Sequence, residues 1–220
     1  MTSPATITER VTDMRAATAA EPPSEVADVF AREQAELSAL VPSGVAPVGT
    51  GLPDAELLDV NGAATTLSAV AGGGTSVLVF YRGAWCPYCN IALSVYQAHL
   101  LPLLAERGIP LIAISPQKPD GSLTMQQKHD LAFTVASDPG NVLGGHLGIL
   151  TGPSPEARAT QLRLGLDLAS INADGTTTLP MPATVILDAS RTVRWIDVHP
   201  DYSTRTEPRQ VIEALDDLLG

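Results

Sequence analysis

One short segment constrains this chain more than any other: Trp85-Cys86-Pro87-Tyr88-Cys89, which closes one apolar run and opens another. The run before it, Ser76 to Tyr81, is continuous and apolar, as expected of a central strand buried on both faces. After it, Ile91, Leu93, Val95, Tyr96, Leu100, Leu103 and Leu104 give a broad apolar face, predicting a helix over 87–107. Pro102 should kink that helix, and Gly108 is a natural stop. The cysteines therefore stand at a strand-to-helix junction, and they are the only two in the chain. A helix N-terminus offers unpaired N–H groups and the positive end of the dipole, both of which stabilise a thiolate. Pro87 at the first helical position costs no hydrogen bond. The thiolate is the nucleophile, and a free cysteine with a pKa of about 8.5 is mostly inert at neutral pH. At this spacing one sulfur can attack and the other can resolve the product as a disulfide.

Competing readings of the pair are weaker. A structural disulfide this short closes almost no loop and adds little stability. A zinc half-site needs two further ligands, and His99, His129, His146 and His199 form no closely spaced pair, so no metal is expected. Two inert buried cysteines would not explain the flanking Trp85, the Pro87 between them or the junction. Gly72-Gly73-Gly74 precedes a strand with no lysine after it, so it reads as a turn instead of a phosphate loop. Pro182, just before the apolar run Thr184 to Asp188, has two open readings. It is either a simple strand-edge device or a cis-proline held against the dithiol.

The rest of the chain supplies an α/β pattern. Residues 6–40 read as two helical segments broken at Pro22-Pro23, the second capped by Ser24 with Val26, Val29, Phe30, Leu37 and Leu40 along one stripe. Glu56 to Val60 is a short strand before the turn Asn61-Gly62. Strands are expected over 109–115, 133–137, 184–188 and 192–198, and helices over 123–130, 155–164 and 208–219. A length of 220 residues suits one domain with additions, read here as an arm over 1–45 and an α/β domain over 46–220. With 45% hydrophobic residues the chain can build a core. A net charge of -11 disfavours nucleic acid and gives no reason for binding anionic membranes. The N-terminus lacks a basic start and apolar stretch, and no apolar run is long enough to span a bilayer, so a reducing cytoplasmic setting is expected.

From about Val48 to Leu219 the chain resembles the alkyl hydroperoxide reductase/thiol-specific antioxidant group, the peroxiredoxin-like branch of the thioredoxin superfamily. The landmarks are Val79-Phe80-Tyr81-Arg82-Gly83-Ala84-Trp85-Cys86-Pro87-Tyr88-Cys89-Asn90, Ala113 to Gln117, Ala136-Ser137-Asp138, Pro182 to Asp188 and Asp201-Tyr202. The resemblance implies a thioredoxin-like fold, a central mixed sheet flanked by helices, with an N-terminal helical arm. It implies a thiol peroxidase acting on hydrogen peroxide or organic hydroperoxides, without an organic cofactor. The reductant would be a thioredoxin, a glutaredoxin or a small thiol, and a homodimer would be in keeping.

The same comparison exposes departures. Typical peroxiredoxins carry Pro-x-x-x-Thr/Ser-x-x-Cys, which places their peroxidatic cysteine on Cys89, their threonine on Cys86 and their proline on Arg82. Their later arginine falls near Pro182. The motif also resembles thioredoxin and glutaredoxin, where the first cysteine, here Cys86, would lead and Cys89 would resolve. A cysteine that leads a helix is expected to be the more exposed and better activated, which favours Cys86. Arg82 is the candidate for the missing positive charge, with Trp85 and Pro182 as supporting residues. A thiol–disulfide oxidoreductase is the alternative activity. A redox-sensing module, with the arm as its partner surface, is the non-enzymatic one.

Overall fold

The computed structural model describes residues 5–19, 24–119 and 131–220. The arm forms two helices, α1 (Ile7–Ala19) and α2 (Glu25–Ser38). Ser24 caps α2 by accepting from the Ala27 N–H at 3.1 Å. Its predicted stripe is only partly used, since Val29 is buried while Leu40 is exposed. The helix also buries Glu33, which apolar periodicity does not flag. In α1, Ile7 and Val11 enter the same core as the two cysteines. The predicted break at Pro22-Pro23 lies outside the described residues, as does the predicted helix over 123–130.

β1 (Glu56–Leu58) and β2 (Ala64–Thr66) form the expected hairpin, with Leu57 opposite Thr65. A short helix, α3 (Leu67–Ala71), ends at Gly72 in the left-handed conformation, so the glycine run is a turn. β3 (Ser76–Phe80) is buried at all five positions. Alternation sends Val77 and Val79 to the core that holds Cys86, Cys89, Leu93 and Tyr96. Leu78 and Phe80 point the other way, to Ile112, Ile114 and Val185. A strand covered on both faces needs apolar residues throughout, which is why its sequence does not alternate.

α4 (Pro87–Val95) starts at the motif. It passes through a π-helical turn, Tyr96–Leu100, into α5 (Leu101–Ala105). The irregular turn falls where Pro102 can neither donate to the preceding turn nor fit its ring against it. β4 (Leu111–Ser115) and β5 (Thr134–Ser137) follow, and β3, β4 and β5 run parallel. Then come α6 (Val142–His146), β6 (Leu150–Thr151), α7 (Pro155–Arg163), α8 (Leu168–Ile171) and β7 (Leu179–Pro180). Sequence patterning missed the short β6–β7 pair and α8. β8 (Ala183–Leu187) pairs antiparallel with β3 and with β9 (Val193–Val198). α9 (Pro208–Leu219) ends the chain as predicted.

The main sheet has the order β2-β1-β5-β4-β3-β8-β9. It is a mixed sheet flanked by helices, the thioredoxin-like architecture expected. No helix among the described residues is long and apolar enough to cross a membrane. The ends of the chain are tied together at Glu207. Its carboxylate accepts from the Ile7 and Thr8 N–H groups at 3.0 and 2.9 Å, and it also forms a capping box with Gln210. Glu207→Ala should therefore unpin two helix starts and destabilise the protein by about 1–3 kcal/mol, read as a lower urea midpoint.

Candidate active site

The loop from β3 to α4 is shaped by one glycine. Gly83 has φ +146, and a Cβ there would lie 2.4 Å from Trp85 Nε1 and 2.8 Å from Gln117 Oε1. Gln117 Oε1 in turn accepts from the Ala84 N–H at 2.7 Å. The indole and the amide thus pack on a bare backbone just before the motif. Gly83→Ala should cost about 1–3 kcal/mol in a denaturation curve, from positive φ and overpacking together.

Cys86 is the N-cap residue of α4 and Pro87 follows at its start. Cys89 lies one turn in. Both cysteines are buried, Cys86 at 1% exposed and Cys89 at 0%, so the helix-leading cysteine is the more exposed only by a slight margin. Cys86 is not the better activated. Burial above all pushes its thiol well up, and its hydrogen bond with Cys89 and the charge there add to this. Burial also pushes the Cys89 thiol up, yet other groups overcome it. The Cys86 hydrogen bond, the Arg205 charge and the Arg82 backbone N–H hold Cys89 well below the ordinary thiol range. Within the pair these effects favour the negative charge on Cys89 over Cys86.

Arg205 is the residue that the sequence did not reveal. Its Nη2 donates to Cys89 Sγ at 3.1 Å from a position 116 residues away. Its Nη1 donates to the backbone carbonyls of Tyr202 and Thr204 at 2.6 and 2.5 Å. The loop that carries it is anchored by Tyr96, from the π-helical turn, whose hydroxyl donates to the Thr206 carbonyl at 2.6 Å. Thr206 in turn donates to Asp197 on β9 at 2.8 Å. A guanidinium thus reaches Cys89 from the loop between β9 and α9.

Arg82 has a different place from Arg205. Its side chain is buried, its guanidinium lies 3.9 Å from the Tyr202 ring centroid and 5.1 Å from that of Trp85, and its Nε has no hydrogen-bond partner among the described residues. Tyr202 thus touches both guanidiniums, one with its ring and one with its carbonyl. Its hydroxyl donates to Glu33 Oε2 at 2.9 Å, while Glu33 Oε1 accepts from the Ser154 N–H at 2.7 Å. Helix α2 of the arm therefore braces the site through Glu33.

A cavity of about 330 Å³ opens over the motif. Cys86, Trp85 and Tyr88 line one side, Phe30 and Gln34 of α2 another, and Leu164 and Leu166 a third. Cys89 is not among its lining residues. Pro182 does not reach it either. That residue follows a trans peptide bond and lines a narrow cleft with Arg82, Glu33 and Tyr202. The cis-proline alternative is not taken, and the strand-edge reading stands. The dithiol, Arg82 and Trp85 are brought together, while Pro182 stays behind Arg82.

Residues 48–196 match a family model described as the AhpC/TSA family. The chain belongs to that family. Solved structures share the fold of this AhpC/TSA chain. Peroxidoxin BcpB from Mycobacterium tuberculosis is 19% identical with a TM-score of 0.57, covering 78% of this chain and 95% of that one. A peroxiredoxin-like protein from Aquifex aeolicus is 15% identical at 0.62, covering 81% and 91%. Reduced Prx3 in complex with hydrogen peroxide, from Vibrio vulnificus, is 17% identical at 0.62, covering 77% and 99%. No curated protein matches the chain.

Proposed function

We propose that this AhpC/TSA chain is a thiol-dependent peroxidase cycling Cys86 and Cys89 between dithiol and disulfide. The observation that carries the reading is the Arg205 guanidinium on Cys89 Sγ beside a second buried cysteine, whose thiol burial pushes up. Cys89 attacks the terminal oxygen of the peroxide. An S–O bond forms, the O–O bond breaks, and the leaving oxygen takes the Cys86 proton to become an alcohol or water. Cys86, now a thiolate, attacks the Cys89 sulfenic acid. The S–S bond forms, and the hydroxide released takes a proton from solvent. Arg205 and Arg82 stabilise the charge in both steps. Family membership supports peroxide as the oxidant, and the buried pair supports an intramolecular disulfide. The arm over 1–45 enters the reading as part of the site, since Glu33 braces Tyr202.

Peroxide should lower the mass of the reduced protein by the two hydrogens of one disulfide, and a thiol should restore it. An unchanged mass and no peroxide consumption would contradict the proposal. A second reading rests on a specific observation: Cys86, the leading sulfur of thioredoxin-type enzymes, is the one that lines the cavity. That placement supports thiol–disulfide exchange. Insulin reduction assayed beside peroxide consumption separates the two, because a disulfide reductase would be active only in the first.

A further inference from the structure

The cycle leaves a disulfide that something must reduce, and the two sulfurs offer different faces. Thiol–disulfide exchange needs the incoming sulfur in line with the bond it breaks, opposite the leaving sulfur. The cavity is lined by Cys86 and not by Cys89. Cys89 faces the Arg205 guanidinium at 3.1 Å instead. A sulfur held beside a cation is the better leaving group. Access and departure thus point the same way.

The cavity also limits what can enter. At about 330 Å³ it has the size of a small-molecule site. Cys86 is 1% exposed, so a small thiol entering the cavity reaches it more readily than a cysteine on the surface of a folded partner. The walls are largely apolar and aromatic, but three buried polar atoms on them have no hydrogen-bond partner among the described residues. Arg82 and Gln161 are each 4% exposed, and among the described residues the donors Arg82 Nε and Trp85 Nε1 and the acceptor Gln161 Oε1 have no hydrogen-bond partner. Buried donors and a buried acceptor left open in one cavity call for a ligand that supplies both kinds of group.

We propose that the cavity between the arm and the motif binds a low-molecular-weight thiol carrying carboxylate or amide groups, which attacks Cys86 of the disulfide. This rests on the dithiol cycle proposed above. The thiolate of the small molecule forms a new S–S bond to Cys86. The Cys86–Cys89 bond breaks, and its electron pair leaves on Cys89. A second small thiol attacks the sulfur of the first, releases the oxidised small-molecule disulfide and frees Cys86, which takes up a proton. Two thiols supply two electrons and two protons; Cys86 keeps one proton, and the other goes to water while Cys89 remains a thiolate.

Rapid acid quench and peptide mass spectrometry test this, with N-acetylcysteine as the probe added to peroxide-oxidised protein. The expected result is a transient N-acetylcysteinyl adduct on Cys86. An adduct on Cys89, or reduction by a thioredoxin with none by N-acetylcysteine, would overturn the proposal. Gln161→Leu adds a second readout, since it removes the open acceptor without orphaning a partner. It should slow reduction by N-acetylcysteine about tenfold, and an unchanged rate would remove the cavity from the account. If peroxide produces no disulfide before any thiol is added, the dithiol cycle itself fails, and that outcome is distinct from the others.

Discussion

Cys89→Ser should abolish reaction with peroxide, lowering the second-order rate constant by roughly a thousandfold or more, as loss of a nucleophile does. Cys86→Ser should behave differently. The Arg205 contact stays in place, so Cys89 should still be oxidised once and then stall as a sulfenic acid. Steady turnover should therefore collapse in both variants, while single-turnover oxidation survives in Cys86→Ser alone. Stopped-flow mixing with hydrogen peroxide reads the difference. If Cys86 were the leading nucleophile, the two variants would exchange behaviours.

Arg205→Met carries the second large effect. It removes the cation from Cys89 and the donors from the Tyr202 and Thr204 carbonyls. Losing one such preorganised donor should reduce the oxidation rate at neutral pH by about a hundredfold. The pH profile gives the sign. In the wild type the Cys89 thiol is held well below the ordinary thiol range, chiefly by the Cys86 hydrogen bond and the Arg205 charge acting against burial. The rate should fall as the pH drops through the Cys89 pKa, on an acid limb that lies below that of a free thiol. In Arg205→Met the acid limb should move to higher pH, and the ultraviolet absorbance of the thiolate should move with it. A profile unchanged in position would mean that Arg205 does not hold the charge.

Much of this was legible in the sequence because it is local. A five-residue apolar strand, a proline at a helix start and a cysteine spacing of one turn all act over neighbouring residues. They placed β3, α4 and the dithiol correctly. Pro102 announced an irregular helix for the same reason, and Gly108 its end. Arg205 was not legible, since nothing in Thr204-Arg205-Thr206 says where a loop after β9 will fold. The nearest signal was the Asp201-Tyr202 landmark, two residues upstream of that stretch. Glu33 was hidden by the opposite effect: an apolar stripe predicts what a helix buries, and a glutamate on the same face is read as solvated. Helix position alone favours Cys86 as the leading sulfur, whereas the proposed cycle gives the attack to Cys89 because a guanidinium lies 3.1 Å from its sulfur.

The sulfenic acid itself offers the most direct check on the central claim. Reduced Cys86→Ser protein, mixed with one equivalent of hydrogen peroxide and a sulfenic-acid-trapping reagent, can be digested and mapped by mass spectrometry. A trapped adduct on Cys89 is expected in this variant and a Cys86–Cys89 disulfide in the wild type. Wild type that forms no disulfide, or a Cys86→Ser protein that leaves Cys89 unmodified while Cys89→Ser traps Cys86, would contradict that claim.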